Sequence, residues 1–334
     1  MKRAFNSVYV YLLILILIGC RPGSSSGEDP GGSVPELFRY AMAIHGGAGF
    51  MTPENLPDER RMNYEMALDS VLRVGLEILK DGGSSIDAVE TVINCLEDNP
   101  LFNAGRGAVF TNRGKNELDA SIMAGDGLRA GAVAGVTDIK NPISAARAVM
   151  EKSEHVLLTG NGASEFAREV GLQMVDPSYF YTPERYQSLH RELQEEEHGT
   201  VGCVALDQYG DLCAGTSTGG MSNKRYGRIG DSPIIGAGTY ANNQTCAVSS
   251  TGHGEFFIRY CAAHDISALM EYQNMSVKEA AGEVVLKKLK EAGGAGGVIC
   301  LDKFGREAMV FNTTGMFRAY GNSEGVHTVK IYDD

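Results

Sequence analysis

The chain has 334 residues, and its 30 Lys and Arg residues against 42 Asp and Glu residues give a formal net charge of −12. This balance disfavours nucleic acids and anionic membrane surfaces as partners, because both repel an acidic protein. The 43% hydrophobic and 22% charged content is typical of a globular protein and excludes a disordered or fibrous chain.

The amino terminus has the pattern of an export signal. Two basic residues precede an apolar run over residues 8–18, which is shorter than the roughly 20 residues of a membrane-spanning helix. The run ends in the sequence LIGC, which resembles a bacterial lipobox. We therefore predict a lipoprotein signal peptide over residues 1–19 and a lipidated Cys20. The alternative is a plain signal peptide cut nearby, in which Cys20 has no role.

A segment rich in Ser, Gly and Pro follows over residues 20–35 and is typical of a flexible tether. A lipid on Cys20 would be the only membrane attachment, so the predicted location is the cell envelope, either periplasmic or at the cell surface. Residues 36–334 are predicted to form a single domain. The six later cysteines form no C-x-x-C motif, and most are expected to be buried small residues, with a disulfide left open.

The first half of this domain mixes strands and helices. Periodicity and end signals predict, in order, a strand over Ala41–His45, helices over Asp58–Lys80 and Ser85–Glu97, a strand over Arg129–Thr137, a helix over Pro142–Lys152 and a strand over Val156–Thr159. The first helix is expected to present one apolar face, formed by Met62, Met66, Val74 and Ile78. A polar stretch over residues 177–198 then interrupts the pattern.

The second half resumes at Thr200. Its predicted elements are strands over Thr200–Leu206, Leu212–Thr218, Ile234–Tyr240 and Cys246–Ser250, helices over Glu255–Met270 and Val277–Glu291, and a hairpin of Val298–Leu301 with Glu307–Asn312. Both halves contain strands and helices, so we expect sheets layered between helices.

Polar residues gather in the glycine-rich segments that end or follow these strands. The sequence contains no phosphate-binding loop, no H-E-x-x-H zinc motif and no nucleophile elbow. It does contain four polar segments with glycine: HGTVG at 198–202, STGGMSN at 217–223, YGRIGDSP at 226–233 and STGHGE at 250–255. Taken singly, each could be an ordinary turn. His45 and His253 lie beside glycine turns, where a structural histidine is the more frequent finding.

Together and in this order, the four segments resemble the N-terminal-nucleophile hydrolases of the plant-type asparaginase and isoaspartyl peptidase family. The resemblance extends from about Ala41 to Tyr320 and includes HGGAG at 45–49, FNAGRGAVF at 102–110 and LDASIM at 118–123. It implies an α+β fold, a four-layer αββα sandwich. It also implies that the precursor cuts itself between Gly199 and Thr200, into an α-chain of residues 20–199 and a β-chain of residues 200–334.

The chemistry of Thr200 agrees with this resemblance. A threonine hydroxyl is a poor nucleophile at neutral pH and needs a base. Cleavage before Thr200 would create that base on the same residue, because a free α-amino group has a pKa of about 7.7–8.0. Gly199 has no Cβ, so the peptide bond to be cut can be held in a strained geometry.

The resemblance assigns further roles near the nucleophile. Thr218 is expected to hydrogen-bond and orient Thr200. The hydroxyl of Thr251 and the backbone N–H of Gly252 are expected to be the oxyanion donors, which must lie where negative charge develops on the amide oxygen. Asn103 matches a family asparagine close to the nucleophile.

The resemblance also assigns the substrate contacts. An aspartyl head carries an α-carboxylate and an α-ammonium group, and each needs a fixed opposite charge. Arg228 is expected to bind the carboxylate and Asp231 the ammonium group. Gly254 matches a backbone contact to the same ligand. The implied substrates are L-asparagine and β-aspartyl dipeptides, which share this head and differ in the leaving amine.

A structural ion and an assembly are implied as well. Relatives bind sodium through backbone carbonyls of one loop, which here would be those of Leu96, Glu97, Asn99, Phe102, Ala104 and Arg106. Carbonyl oxygens suit such a hard cation. No organic cofactor is implied, and family members pair as dimers of αβ units.

Two other functions stay open. A glycosylasparaginase-type amidase would share Arg228 and Asp231 but usually carries Asp before the nucleophile and lacks the GGMSN run. A non-enzymatic surface lipoprotein that binds amino acids or peptides would carry a degenerate site. The intact nucleophile, oxyanion donors and charged residues argue against such decay.

Overall fold

The computed structural model describes residues 38–190 and 199–333. The predicted signal peptide, Cys20 and the tether lie outside the described residues. Contacts between Cα atoms group Glu36–Asp334 into one compact unit.

Twelve strands in the described ranges form two sheets. In chain order they are β1 Ala41–Gly49, β2 Leu118–Ala124, β3 Ala130–Val136, β4 Leu157–Thr159, β5 Val201–Leu206, β6 Leu212–Thr218, β7 Thr239–Ala241, β8 Cys246–Gly252, β9 Gly296–Asp302, β10 Glu307–Phe311, β11 Gly315–Asn322 and β12 His327–Lys330. The larger sheet has the order β12-β11-β1-β5-β6-β2-β3-β4, and the smaller one has the order β10-β9-β8-β7. Neighbouring strands are antiparallel except β3 and β4.

The helices lie between these strands along the chain. They are α1 Asp58–Lys80, α2 Ser85–Glu97, α3 Pro142–Lys152, α4 Gly160–Glu169, α5 Pro183–His190, α6 Gly254–Tyr260, α7 Ala262–Gln273 and α8 Val277–Gly282, which continues into a π-helical segment over Glu283–Leu289. Short 3₁₀ turns lie at Gly105–Gly107 and Pro177–Phe180. No helix in residues 38–190 or 199–333 is both long and apolar enough to cross a membrane.

The two sheets face each other between two helical layers. Helices α1, α2 and α3 pack on the larger sheet, and α7 and α8 pack on the smaller one. Small and aliphatic residues from both sheets, such as Ala43, Val204 and Ile299, form the core between them. This arrangement confirms the predicted α+β fold, a four-layer αββα sandwich.

The buried face of α1 differs from the prediction. Met62 and Met66 are 51% and 59% exposed, and Val74 is exposed as well. The helix buries a denser stripe instead, formed by Tyr64, Leu68, Val71, Leu72, Gly75 and Leu79. That stripe repeats at nearly every turn and packs on the larger sheet, whereas the predicted one leaves a gap between Met66 and Val74.

Other elements of the structure also differ from the prediction. Residues 177–198 were expected to lack regular structure, yet they contain α5, whose Arg185 is buried and donates to the carbonyl oxygens of Gly107 and Leu101. The predicted helix over 255–270 is broken at Cys261, which has a φ of 47°. Strands β11 and β12 were not predicted. The six described cysteines are free, and Cys95 and Cys261 are exposed.

Candidate active site

A cleft opens where the chain enters β5, beside the ends of β6 and β8. The residues that line it are Gly199, Thr200, Thr218, Gly220, Met221, Arg228, Gly230, Asp231, Ser232 and Gly252. They come from distant parts of the sequence, and the strand ends bring them together. The cleft therefore contains most of the residues that the sequence predicted for the site.

Thr200 stands at the start of β5, directly beside the end of β6. The two strands pair so that Val201 lies opposite Ser217, and this register places Thr200 next to Thr218. Their hydroxyl oxygens are 3.1 Å apart. Thr218 Oγ1 also accepts from the backbone N–H of Gly220 at 2.9 Å, which fixes its position.

The carbonyl oxygen of Gly199 is held by two donors. Asn103 Nδ2 lies 2.7 Å from it, and Thr218 Oγ1 lies 3.2 Å from it. The Asn103 side chain is itself fixed, because its Oδ1 accepts from the N–H of Val109 at 2.9 Å. A Cβ built on Gly199 would lie 2.9 Å from the Cβ of Asn103, so this approach requires glycine.

The predicted oxyanion donors lie at the end of β8. Thr251 is buried, and its Oγ1 has no hydrogen-bond partner among the described residues. Gly252, the next residue, lines the cleft. A buried hydroxyl without a partner is costly, which is typical of a group that is satisfied by a ligand.

Asp231 and Arg228 also line the cleft. Asp231 is buried, and its Oδ2 has no hydrogen-bond partner in the described part of the chain. Burial raises the pKa of Asp231 to about 7, although the Arg228 charge opposes the shift. Gly254 lies against both side chains, since a Cβ there would be 2.7 Å from Asp231 Oδ1 and 3.0 Å from Arg228 Nη2.

Three nearby residues were not assigned a role from the sequence. Glu255 accepts two hydrogen bonds from Arg228. Asp119 and Lys224 form a buried ion pair with 3.8 Å between Oδ2 and Nζ. Glu255 and Asp119 stand inside segments that carry the family resemblance, so their motifs could have indicated them; Lys224 follows such a segment directly.

The loop predicted to bind sodium begins at the C-terminal end of α2. The carbonyl oxygens of Leu96, Asn99 and Ala104 each accept one backbone N–H, at 3.1 to 3.3 Å, and each keeps a second lone pair. Neutral carbonyl oxygens at a helix C-terminus suit a hard monovalent cation. Residues 38–190 and 199–333 contain no cluster of His, Cys, Asp and Glu that could hold a metal ion. The carbonyl oxygens of Leu96, Asn99 and Ala104 have the donor chemistry that a cation held by backbone oxygens would need.

Comparison with known proteins agrees with this geometry. A family model described as asparaginase matches residues 38–331. The chain belongs to the asparaginase family. Its fold is therefore that of the N-terminal-nucleophile hydrolases, and the chain is a hydrolase of this family.

Relatives of this chain within the asparaginase family are named as isoaspartyl peptidases or as asparaginases. The isoaspartyl peptidases of Salmonella typhimurium and Escherichia coli are each 47% identical over 311 residues, which is 89% of this chain and 99% and 97% of theirs. The isoaspartyl peptidase/L-asparaginase of Bos taurus is 38% identical over 86% of this chain and 94% of its own. Relatives of this kind contradict the alternative of a non-enzymatic binding protein.

The predicted location is corrected by the same comparisons. The asparaginase family relatives, matched over 94% to 99% of their length, are named as isoaspartyl peptidases and asparaginases, and none of the three is named as a lipoprotein. The prediction of a membrane-anchored lipoprotein in the cell envelope is therefore wrong. Cys20 itself lies outside the described residues.

Proposed function

We propose that the protein is an autoprocessed threonine hydrolase that uses Thr200 to cleave β-aspartyl dipeptides and the side-chain amide of L-asparagine. The names of the relatives support these substrates. The observation that carries the proposal is the arrangement at the Gly199–Thr200 bond. A hydroxyl nucleophile, two donors on the carbonyl oxygen and an adjacent orienting hydroxyl meet there.

The first reaction would be self-cleavage. Thr200 Oγ1 attacks the carbonyl carbon of Gly199, and the negative charge that develops on the carbonyl oxygen is stabilised by Asn103 Nδ2 and Thr218 Oγ1. The Gly199–Thr200 amide bond breaks, an ester forms to Oγ1, and the hydroxyl proton passes to the Thr200 nitrogen. Water then hydrolyses the ester and leaves a Gly199 carboxylate and a free Thr200 amine.

The second reaction would use that free amine as the base. It takes the proton of Thr200 Oγ1, which attacks the side-chain carbonyl of the substrate to form an aspartyl ester. The Thr218 hydroxyl, released from Gly199, can then donate to Thr200 Oγ1. Thr251 Oγ1 and the Gly252 N–H would receive the oxyanion. The leaving amine takes the proton, and water hydrolyses the ester.

Recognition of the aspartyl head would need one fixed charge for each of its ionic groups. The Arg228 guanidinium offers a planar set of donors for the α-carboxylate. The buried Oδ2 of Asp231 is an acceptor that lacks a described protein partner, which supports its role as the acceptor for the α-ammonium group. The Gly254 backbone, which lies against both side chains, would contact the same ligand.

Two further features belong to the proposal. Sodium would be held by the backbone oxygens of the loop after α2 and would stabilise the segment that carries Asn103. No reaction step depends on it. The processed protein would assemble as a dimer of αβ units, which light scattering after gel filtration would measure.

Intact mass, N-terminal sequencing and substrate assays test the proposed function together. Wild-type protein should give two fragments, with the smaller one beginning Thr-Val-Gly-Cys. Thr200→Ala should stay as one inactive chain, and Thr200→Ser should keep part of both reactions. An active protein that remains a single chain would contradict the mechanism.

The substrate class is tested on processed protein. We expect ammonia release from L-asparagine and leucine release from β-Asp-Leu. N-acetylglucosaminyl-asparagine is the matched comparison, because it presents the same aspartyl head with a bulky leaving group. A preference for that compound would favour the glycosylasparaginase alternative.

A further inference from the structure

A row of buried hydroxyl groups runs between the two sheets. Its members are 0% exposed and belong to strands of both sheets: Ser121, Thr239, Thr216 and Ser249. We call these four residues the hydroxyl chain. In this order, successive hydroxyl oxygens are 2.8, 2.6 and 2.7 Å apart. Ser249, at one end, lies 3.0 Å from Nε2 of His45.

His45 connects the hydroxyl chain to the proposed nucleophile. Its imidazole is fully buried, and Nδ1 lies 3.0 Å from the carbonyl oxygen of Thr200. A carbonyl oxygen can only accept, so Nδ1 must carry a proton. Burial lowers the pKa of His45 to about 3, so the ring is neutral near pH 7 and Nε2 is an acceptor for Ser249.

This arrangement sets the direction of the hydrogen bonds from Thr239 to His45. A hydroxyl group has one proton to donate. Ser249 must donate to His45, so it accepts from Thr216, and Thr216 accepts from Thr239. The Thr216 proton is therefore directed to Ser249, and not to the carbonyl oxygen of Gly238, which is 3.2 Å away.

The other end of the hydroxyl chain reaches the loop that carries Asp231. Ser121 Oγ lies 2.5 Å from the carbonyl oxygen of Ser232, the residue after Asp231. Ser232 and Thr200 both line the cleft. Both ends of this series are acceptors, and four hydroxyl groups carry four protons for its five contacts, so Ser121 donates either to the Ser232 carbonyl oxygen or to Thr239. The directed hydrogen bonds that reach His45 are those from Thr239 through Thr216 and Ser249.

The contact between His45 and Ser249 requires glycine at residue 202. A Cβ built on Gly202 would lie 2.0 Å from Ser249 Oγ and 2.2 Å from His45 Nε2. A side chain there would separate the two groups. Gly202 closes the same short segment that contains Thr200, so this segment provides both the nucleophile and the space for the hydrogen bond that supports it.

We infer that His45 is a positioning residue for Thr200: the Thr200 carbonyl oxygen selects the tautomer that donates from Nδ1, and the hydroxyl chain holds the ring through the donor Ser249. This inference rests on the proposed role of Thr200 as the nucleophile. By holding the carbonyl oxygen of Thr200, the imidazole fixes the main chain from which the α-amino group and the hydroxyl of that residue project. The opposite neutral tautomer would turn a lone pair toward the carbonyl oxygen and lose the contact.

Nitrogen NMR on protein labelled with ring-¹⁵N histidine tests the tautomer directly. In the wild type, His45 should show a protonated Nδ1 and an unprotonated Nε2 at neutral pH, with its signals identified from their loss in His45→Asn. In Ser249→Ala the Thr200 carbonyl oxygen still requires the proton on Nδ1, so the tautomer should stay, but the Nε2 signal should shift to that of an acceptor without a hydrogen bond. A wild-type His45 protonated on Nε2, or an Nε2 signal unchanged in Ser249→Ala, would overturn the inference.

Steady-state kinetics tests the effect on Thr200. Ser249→Ala should lower kcat for β-Asp-Leu about tenfold and leave KM unchanged, because the charged contacts to the substrate are intact. The matched control is Ser250→Ala, which removes the neighbouring buried hydroxyl that lies 3.5 Å from the Ala237 carbonyl oxygen and is outside the hydroxyl chain. Equal losses in both variants would mean a packing effect and would contradict a positioning role.

Variants of His45 supply a second readout. An asparagine amide can reach the position of Nδ1, so His45→Asn should keep more of kcat than His45→Ala, with equal KM. Equal kcat in these two variants would also contradict the inference. If Thr200→Ala remained active, the proposed function would fail, whereas the NMR signals of His45 would still report the tautomer; the two failures are therefore distinguishable.

Discussion

Glu255 accepts two hydrogen bonds from one edge of the Arg228 guanidinium, from Nε at 2.8 Å and from Nη2 at 3.0 Å. These bonds lower the pKa of Glu255, so the carboxylate stays ionised at neutral pH. The remaining nitrogen, Nη1, lies beside Gly220 and Gly230, which both line the cleft. One edge of the guanidinium is thus held by the protein, and the other is directed toward the place proposed for the substrate carboxylate.

Loss of the Glu255 charge should therefore weaken substrate binding without affecting the bond-breaking step. The Glu255 side chain is 51% exposed, so its ion pair contributes on the order of 1 kcal/mol after solvent screening. We expect Glu255→Gln to raise KM for β-Asp-Leu about fivefold at unchanged kcat, because Arg228 would be less well aimed. Glu283→Gln, another surface glutamate in an ion pair, is the control. A lowered kcat with normal KM would point to a different role for Glu255.

The charge of Asp231 should decide recognition of the α-ammonium group. Asp231→Asn keeps the shape but removes the charge, so kcat/KM for L-asparagine and β-Asp-Leu should fall. The fall should correspond to a loss of transition-state stabilisation on the order of 2–5 kcal/mol. Self-cleavage does not need the aspartyl head, and N-terminal sequencing should still find a free Thr200. Near-wild-type kinetics in the processed variant would show that the substrate is not held by its amino group.

On the acid side of the pH profile, two protonation events should each lower kcat/KM. Asp231, with a pKa of about 7, is protonated below that value and then loses its contact to the ammonium group. The Thr200 amine, with an ordinary pKa of about 7.7–8.0, also loses its role as base when protonated. Log kcat/KM should therefore rise with pH at a slope approaching about 2 in the wild type and about 1 in Asp231→Asn. Identical slopes would exclude Asp231 as the second group.

Asn103 should control the rate of self-cleavage. Asn103→Asp keeps the shape and the acceptor for Val109 but replaces the Nδ2 donor that lies 2.7 Å from the Gly199 carbonyl oxygen. Loss of an oxyanion donor costs about 10²–10³ in rate, so the uncut precursor should persist on a denaturing gel for correspondingly longer. Asn116→Asp, a buried change in the neighbouring loop, should process at a rate close to that of wild type. Equal rates for the two variants would remove Asn103 from the mechanism.

Burial of His45 should make the fold sensitive to acid. Its pKa is about 3 when folded and about 6.5 when unfolded, so the unfolded chain binds the extra proton between these values. This contribution to stability is complete above pH 6.5 and is lost as pH falls, by up to about 1.4 kcal/mol per pH unit. Urea unfolding in the single-chain Thr200→Ala background should show a smaller loss between pH 6.5 and 4.5 when His45→Asn is added. A pH dependence unaffected by this substitution would mean that His45 is not buried in its neutral form.

The sequence predicted features that depend on local pattern or on quoted motifs. Helices α1 and α2 begin and end at the predicted residues: Gly82 and Gly83 separate them, and the Ser84 side chain caps α2 by accepting from the backbone N–H of Asp87. Thr200, Thr218 and Asp231 meet in one cleft as expected. The buried face of α1 was predicted wrongly, because the interrupted stripe of Met62, Met66, Val74 and Ile78 was preferred to the stripe that repeats at nearly every turn.

Other features depend on partners far away in the sequence. The two ends of the hydrogen bond between His45 and Ser249 are 204 residues apart, and no local pattern indicates it. Helix α5 was missed because its Arg185 lies in the interior, where it bonds to carbonyl oxygens from another loop. Such buried polar contacts are invisible to a pattern that counts apolar residues.

The order of the larger sheet has a consequence for the two fragments that a cut before Thr200 would create. Strands β1 to β4 precede the cut and β5 to β12 follow it, yet β1 lies between β11 and β5, while β6 lies against β2. Both fragments would contribute strands to one sheet, and neither could dissociate without breaking backbone hydrogen bonds on both sides of β1. The new amino terminus would therefore open in the middle of a continuous sheet, anchored by its neighbours at the moment it becomes free.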